Sequence, residues 1–164
     1  DRFNDLAFAW STHQFTELNR AAEVAKQAVQ SAGASVAEVL MPVLREISSR
    51  YAHSRVASTH LRMAEDALKR RDYLRACAEI FESAITAELE GTARPVEDFK
   101  LREEVDKALL SRLAGWEDLK ALRNSMAHGN EPRSKGPASI LSREESLKEF
   151  LVEMHKRVKS TFSL

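Results

Sequence analysis

The stretch Tyr73–Glu90, YLRACAEIFESAITAELE, decides the fold class. Tyr73, Cys77, Ile80, Phe81, Ala84, Ile85 and Leu89 recur at steps of three and four. On a helix turning about 100° per residue, that spacing puts them on one side. The stripe is broad, and Gly91 follows it as a stop signal. So wide an apolar face can be covered only by other packed elements.

Working outward, Arg55 to Arg70 carries another helical pattern, and only RRD separates it from Tyr73. With Asp72 as N-cap, so short a connection predicts an antiparallel helix pair. Downstream, a helix is expected from about Asp98 to Leu113 with Val105, Ala108 and Leu109 on its inner face, then one over Trp116–His128. The segment Gly129 to Leu141, GNEPRSKGPASIL, is loop by composition. Ser142 and Glu145 form a capping box for a last helix carrying Leu147, Phe150, Leu151, Met154 and Val158. Towards the other end, Phe3, Leu6, Ala7, Trp10, Leu18, Ala22, Ala25 and Val29 predict a long helix ending near Gly33. Ser35 and Glu38 cap the next, which Pro42 either kinks or starts. No strand pattern or tandem repeat occurs, so the expected fold is all-α, a single bundle of six or seven helices over residues 1–164.

Composition agrees. The 164 residues are 43% hydrophobic, enough for one domain with a sizeable core. With 30% charged residues, 5 Gly and 4 Pro, the balance suits helices with solvated faces better than sheets joined by turns. Lys and Arg total 25, as do Asp and Glu, so no global positive field exists to hold nucleic acid; any such attraction must be local. The single Cys77 excludes a disulfide or cysteine metal site within one chain, and reads as a small core residue in a reducing compartment. The remaining histidines, His13, His53, His60 and His155, lack zinc spacing, and no metal or cofactor is expected. No apolar run approaches the roughly 20 residues that span a bilayer, and DRFNDLAFAW lacks the regions of a signal peptide. A cytoplasmic protein is expected. The helical pattern begins at once from Asp1, with no methionine, so an upstream domain in a longer chain is expected too.

The decade Ala121–Asn130, ALRNSMAHGN, carries the chemistry. Leu119, Leu122 and Met126 cluster on the side facing the bundle, with Trp116 at the edge of the stripe. Lys120, Asn124 and His128 share an outward face. Arg123 lies between the two sides, and its long stem can carry the guanidinium toward Asn124 and His128. Ala127 is small enough for another helix to come close, and a twofold dimer would gather two arginines and two histidines. Metal-free RNA cleavage suits these residue types. Histidine exchanges protons near neutral pH, assisting attack by the ribose 2′-hydroxyl or departure of the 5′-oxygen. Arginine offers a planar fork of donors to the phosphate as charge develops. Asparagine can orient the histidine or hold the substrate. Lys120, with Arg133 and Lys135 in the following segment, completes a substrate-binding set. The alternative is structural: a histidine in the last turn before Gly129 is ordinary helix-terminal chemistry, contributing about 0.3–1 kcal/mol. Arg55 and His60 in RVASTH have the same spacing, and the cluster Lys69, Arg70, Arg71, Arg75 reads either as a phosphate track or as a solvated turn. Trp10, Trp116 and the phenylalanines are expected in the core.

The string LRNSMAHG, Leu122–Gly129, resembles the signature of HEPN ribonucleases, an Arg commonly followed directly by Asn, with a His a few residues on. Here four residues separate Arg123 from His128, and Asn124 is in place. The resemblance implies a helical domain that dimerises so that two motifs form one composite, metal-independent endoribonuclease site. In it Arg123 and His128 are catalytic and Asn124 supports them. Within that family, FAWSTHQFTELNRAAEVA, ALKRRDYLRACAEIFESAI and LRNSMAHG together look most like the C-terminal effector part of CRISPR-associated CARF–HEPN proteins. There, an upstream CARF sensor domain binds a cyclic oligoadenylate. The implied partners are a single-stranded RNA substrate, a second copy and that sensor. A non-catalytic helical dimerisation or interaction module, and a HEPN toxin held by an antitoxin, are the competing readings.

Overall fold

The computed structural model describes residues 55–164, together with residues 20, 23, 24, 27, 42, 46 and 49. The expected helix end near Gly33 and the Ser35–Glu38 capping box lie outside the described residues; Pro42 is helical. Among the described residues there are six helices and no strand, so the all-α bundle stands. They are α1 (Val56–Lys69), α2 (Tyr73–Gly91), α3 (Phe99–Arg112), α4 (Trp116–His128), α5 (Lys135–Leu141) and α6 (Glu144–Phe162).

α1 and α2 form the expected hairpin. Asp72 caps α2 by accepting from the Arg75 amide at 3.2 Å, and Arg71 in the connection takes a left-handed φ of 59°. α2 is the central element, packed on α1, α3, α4 and α6. Its burial reaches beyond the predicted stripe: Ala76, Glu79, Ser83, Thr86 and Ala87 are also inside. A helix covered on so many sides keeps only a narrow solvated edge, at Leu74, Ala78 and Glu82. Small residues allow the close approach to α1, where Ser83 Oγ donates to the Ala57 carbonyl at 2.8 Å.

α3 is capped by Asp98, whose carboxylate accepts from the Lys100 and Leu101 amides at 2.9 and 3.2 Å. It buries only Val105 and Leu109. Ala108, expected inward, is exposed, and Phe99 is 72% exposed rather than in the core. Two further corrections concern the chain after α4. The segment expected to be loop throughout forms α5 over its second half, folded against α4 and α6. Pro137 is third in that helix, where its missing N–H would have had no helical partner, and it is buried. The Ser142–Glu145 capping box does not form: Arg143 occupies the N-cap position without a side-chain bond, and Ser142 Oγ donates back to the Ser139 carbonyl at 2.7 Å. α6 buries Leu147, Leu151, Met154 and Val158, each by burial contributing about 1.5–3 kcal/mol.

Candidate functional site

Left-handed glycines bound α4 at both ends. Gly115, at φ 87°, precedes Trp116 and lies so close to α6 that a Cβ there would sit 2.9 Å from Met154 Sδ. Gly129, at φ 64°, ends the helix, and its N–H and that of Asn130 return to the Ser125 carbonyl. Between them Trp116, Leu119, Leu122 and Ser125 are buried, and Met126 packs against the core. Trp116, at the edge of the stripe by helical position, is nevertheless fully buried at 1% exposure. Asn124 and His128 are exposed, on the outward side as expected.

His128 is the last residue of α4 and makes no hydrogen bond or ion pair among the described residues. Beside it, the chain from Asn130 to Ser134 folds back along α4 and leaves a cleft of about 460 Å³. Asn124, His128, Asn130, Glu131, Arg133 and Ser134 line it. The structure therefore brings Asn124, His128 and Arg133 to one cavity. Asn130, Glu131 and Ser134 were not singled out in the sequence; their signal was only their nearness to His128. Lys135 is exposed at the start of α5 and does not line the cleft.

Arg123 takes a different course. Its guanidinium carbon sits 3.9 Å from the centroid of the Phe81 ring, while its Nε and Nη2 donate to Asn124 Oδ1 at 3.4 and 3.2 Å. The planar cation is thus held by a ring on its face and an amide on its edge. It touches Asn124 but does not line the cleft in its own chain. Lys120 is turned away as well, ion-paired with Asp106 of α3, which also accepts from Trp116 Nε1 at 2.8 Å.

His60 is buried with Nδ1 2.8 Å from Glu79 Oε2, and Arg55 pairs with Glu90 at 3.2 Å. In the basic cluster, Lys69 pairs with Glu65 at 2.9 Å and Arg71 with Glu144 at 3.6 Å. Cys77 is fully buried as expected; desolvation pushes its thiol up to about 12, and Sγ donates to the Leu119 carbonyl at 3.4 Å. Among the described residues, no three His, Cys, Asp or Glu side chains gather as a metal-holding group, and no helix is long and apolar enough to cross a membrane. No family model, curated protein or solved structure matches this chain.

Proposed function

We propose that this chain is a HEPN-type, metal-independent endoribonuclease acting on single-stranded RNA. The observation that carries the reading is the placement of His128: exposed, without a partner among the described residues, and on the wall of a cleft that also holds Asn124 and Arg133. A histidine in that position is accessible for proton transfer, and Arg133 offers a cation to the phosphate backbone. In the proposed reaction a base removes the 2′-hydroxyl proton, and the 2′-oxygen attacks phosphorus. The P–O5′ bond breaks, and a proton passes to the departing 5′-oxygen. The products are a 2′,3′-cyclic phosphate and a 5′-hydroxyl. His128 serves one of the proton transfers, and Arg123 stabilises the charge on the phosphoryl oxygens.

Because Arg123 does not line the cleft of its own chain, the reading includes a second copy. The exposed Ala127 beside Asn124 and His128 leaves room for another α4, which would set the arginine of one chain against the cleft of its partner. We further place such a domain downstream of a sensor of cyclic oligoadenylate in a CRISPR-associated defence protein, a context that rests on the motif resemblance.

A second reading has its own observation. Phe99 and Leu110, 72% and 50% exposed, stand three turns apart on one side of α3 and offer two apolar contact points of the kind an interaction module would use. Cleavage of a fluorescent single-stranded RNA in excess EDTA separates the two. We expect the wild-type dimer to cut, and His128→Ala and Arg123→Ala to lose at least about 100-fold while remaining dimeric by light scattering. A longer chain supplied with its sensor and activator that still fails to cut would favour the interaction module.

A further inference from the structure

Arg123 is held by more than one neighbour. Phe81, whose ring lies under the guanidinium, stacks in turn on Trp116, with centroids 4.6 Å apart and planes inclined by 12°. Trp116 is fixed by its Nε1, which donates to the Asp106 carbonyl at 3.1 Å and to Asp106 Oδ1 at 2.8 Å. The other carboxylate oxygen of Asp106 takes Lys120. A cation, two aromatic rings and an anchored carboxylate therefore form one continuous column that runs from Arg123 of α4 to Phe81 of α2, back to Trp116 at the start of α4 and on to Asp106 of α3.

An arginine on a helix surface ordinarily samples many rotamers, and ordering it on substrate binding opposes catalysis. Here the face of the guanidinium is set by Phe81, which is itself 6% exposed and backed by Trp116. Its Nε and Nη2 edge is set by Asn124. Nη1 has no hydrogen bond among the described residues, and with the second N–H of Nη2 it forms the edge left for incoming phosphoryl oxygens.

We infer that Phe81 is a positioning residue, which presets the plane of Arg123 before substrate arrives. The inference rests on the ribonuclease reading for its kinetic consequence and on geometry alone for its structural one. It also explains why this position would need arginine: a lysine ammonium has no plane to lay on the ring while its edge meets Asn124.

The test combines a spectroscopic readout with kinetics on the full chain. The Arg123 Nε–Hε resonance, assigned by its loss in Arg123→Lys, is expected to be shifted upfield by the Phe81 ring. Phe81→Leu should return it to the range of the other arginines, and Phe81→Tyr should restore the shift. In cleavage assays Phe81→Leu should lower kcat about tenfold with KM changed less than twofold, and should have no further effect in an Arg123→Ala background. An unshifted wild-type resonance would overturn the inference. So would an equal loss of kcat from Phe81→Leu with and without Arg123, which would make Phe81 a packing residue. A longer chain that cuts no RNA even with its sensor and activator, but keeps a Phe81-dependent shift, would sink the ribonuclease reading and leave the positioning of Arg123 standing.

Discussion

The chain sets Arg and His at the same spacing twice, and its fold uses the two pairs in opposite ways. His60, in the second turn of α1, faces α2 and is 3% exposed, with Glu79 at 2.8 Å. There the alternative to a polar partner is an unsatisfied buried nitrogen, so the side chain is committed to cohesion. His128 stands where α4 runs out, exposed, with a cleft beside it and no partner among the described residues. The arginines follow suit: Arg55 is tied to Glu90 and to the Phe162 carbonyl, whereas Arg123 has a ring and an amide but no carboxylate. Spacing alone does not distinguish a buried structural pair from an exposed one. What distinguishes them is the place of each histidine along its helix and what lies opposite.

The largest effect that would sharpen this contrast is on stability. His60→Ala removes the nearer partner of the buried Glu79 carboxyl, leaving Arg75 at 3.7 Å, and should cost about 1–3 kcal/mol. His128→Ala should cost no more than about 1 kcal/mol, its share of helix-end electrostatics. Thermal unfolding of the two variants tests this, and equal losses would erase the distinction.

His155 offers a graded case between them. Its Nε2 donates to the Leu61 carbonyl at 3.2 Å, and partial burial holds its pKa below the ordinary 6.5, outweighing that hydrogen bond. The unfolded chain therefore takes up a proton at a pH where the native chain does not. The stability this group confers is full above about pH 6.5 and falls as the pH drops through the lowered native value. Urea unfolding at several pH values should show His155→Gln with a shallower acid loss than the wild type; identical slopes would remove His155 from the account.

The smallest effect belongs to the basic cluster. Lys69→Ala removes an exposed ion pair to Glu65 one helical turn away and should change stability by less than about 0.5 kcal/mol. RNA affinity by fluorescence anisotropy should stay unchanged, and a clear loss would extend the nucleic-acid surface to the α1–α2 turn.

Sequence periodicity was most informative where one helix meets several others. The stripe from Tyr73 to Leu89 and the cap at Asp72 were both legible, because apolar spacing and N-cap chemistry are local. The span of α4 was legible for the same reason, with Gly129 as its stop. α5 was hidden by Gly136 and Pro137, residues that weaken a helix interior but are tolerated in a first turn. The capping box at Ser142 failed because its hydroxyl found the Ser139 carbonyl instead, a local competition that sequence leaves open. In the candidate site, the outward faces of Asn124 and His128 followed from the helical repeat. The bed of Arg123 did not, since Phe81 is brought from α2 only by tertiary packing, and Lys120 was drawn off by Asp106 of α3.

Cys77 has a practical consequence for measuring how two copies meet. It is the single thiol of the chain, fully buried and held protonated well above neutral pH. Labelling reagents that need an accessible thiolate will pass it by. A Glu117→Cys variant would then carry one reactive handle at the exposed start of α4, away from Ala127, ready for a nitroxide or fluorophore without removal of any native thiol. The separation between two such probes across an assembled pair would report directly on the distance between the α4 helices.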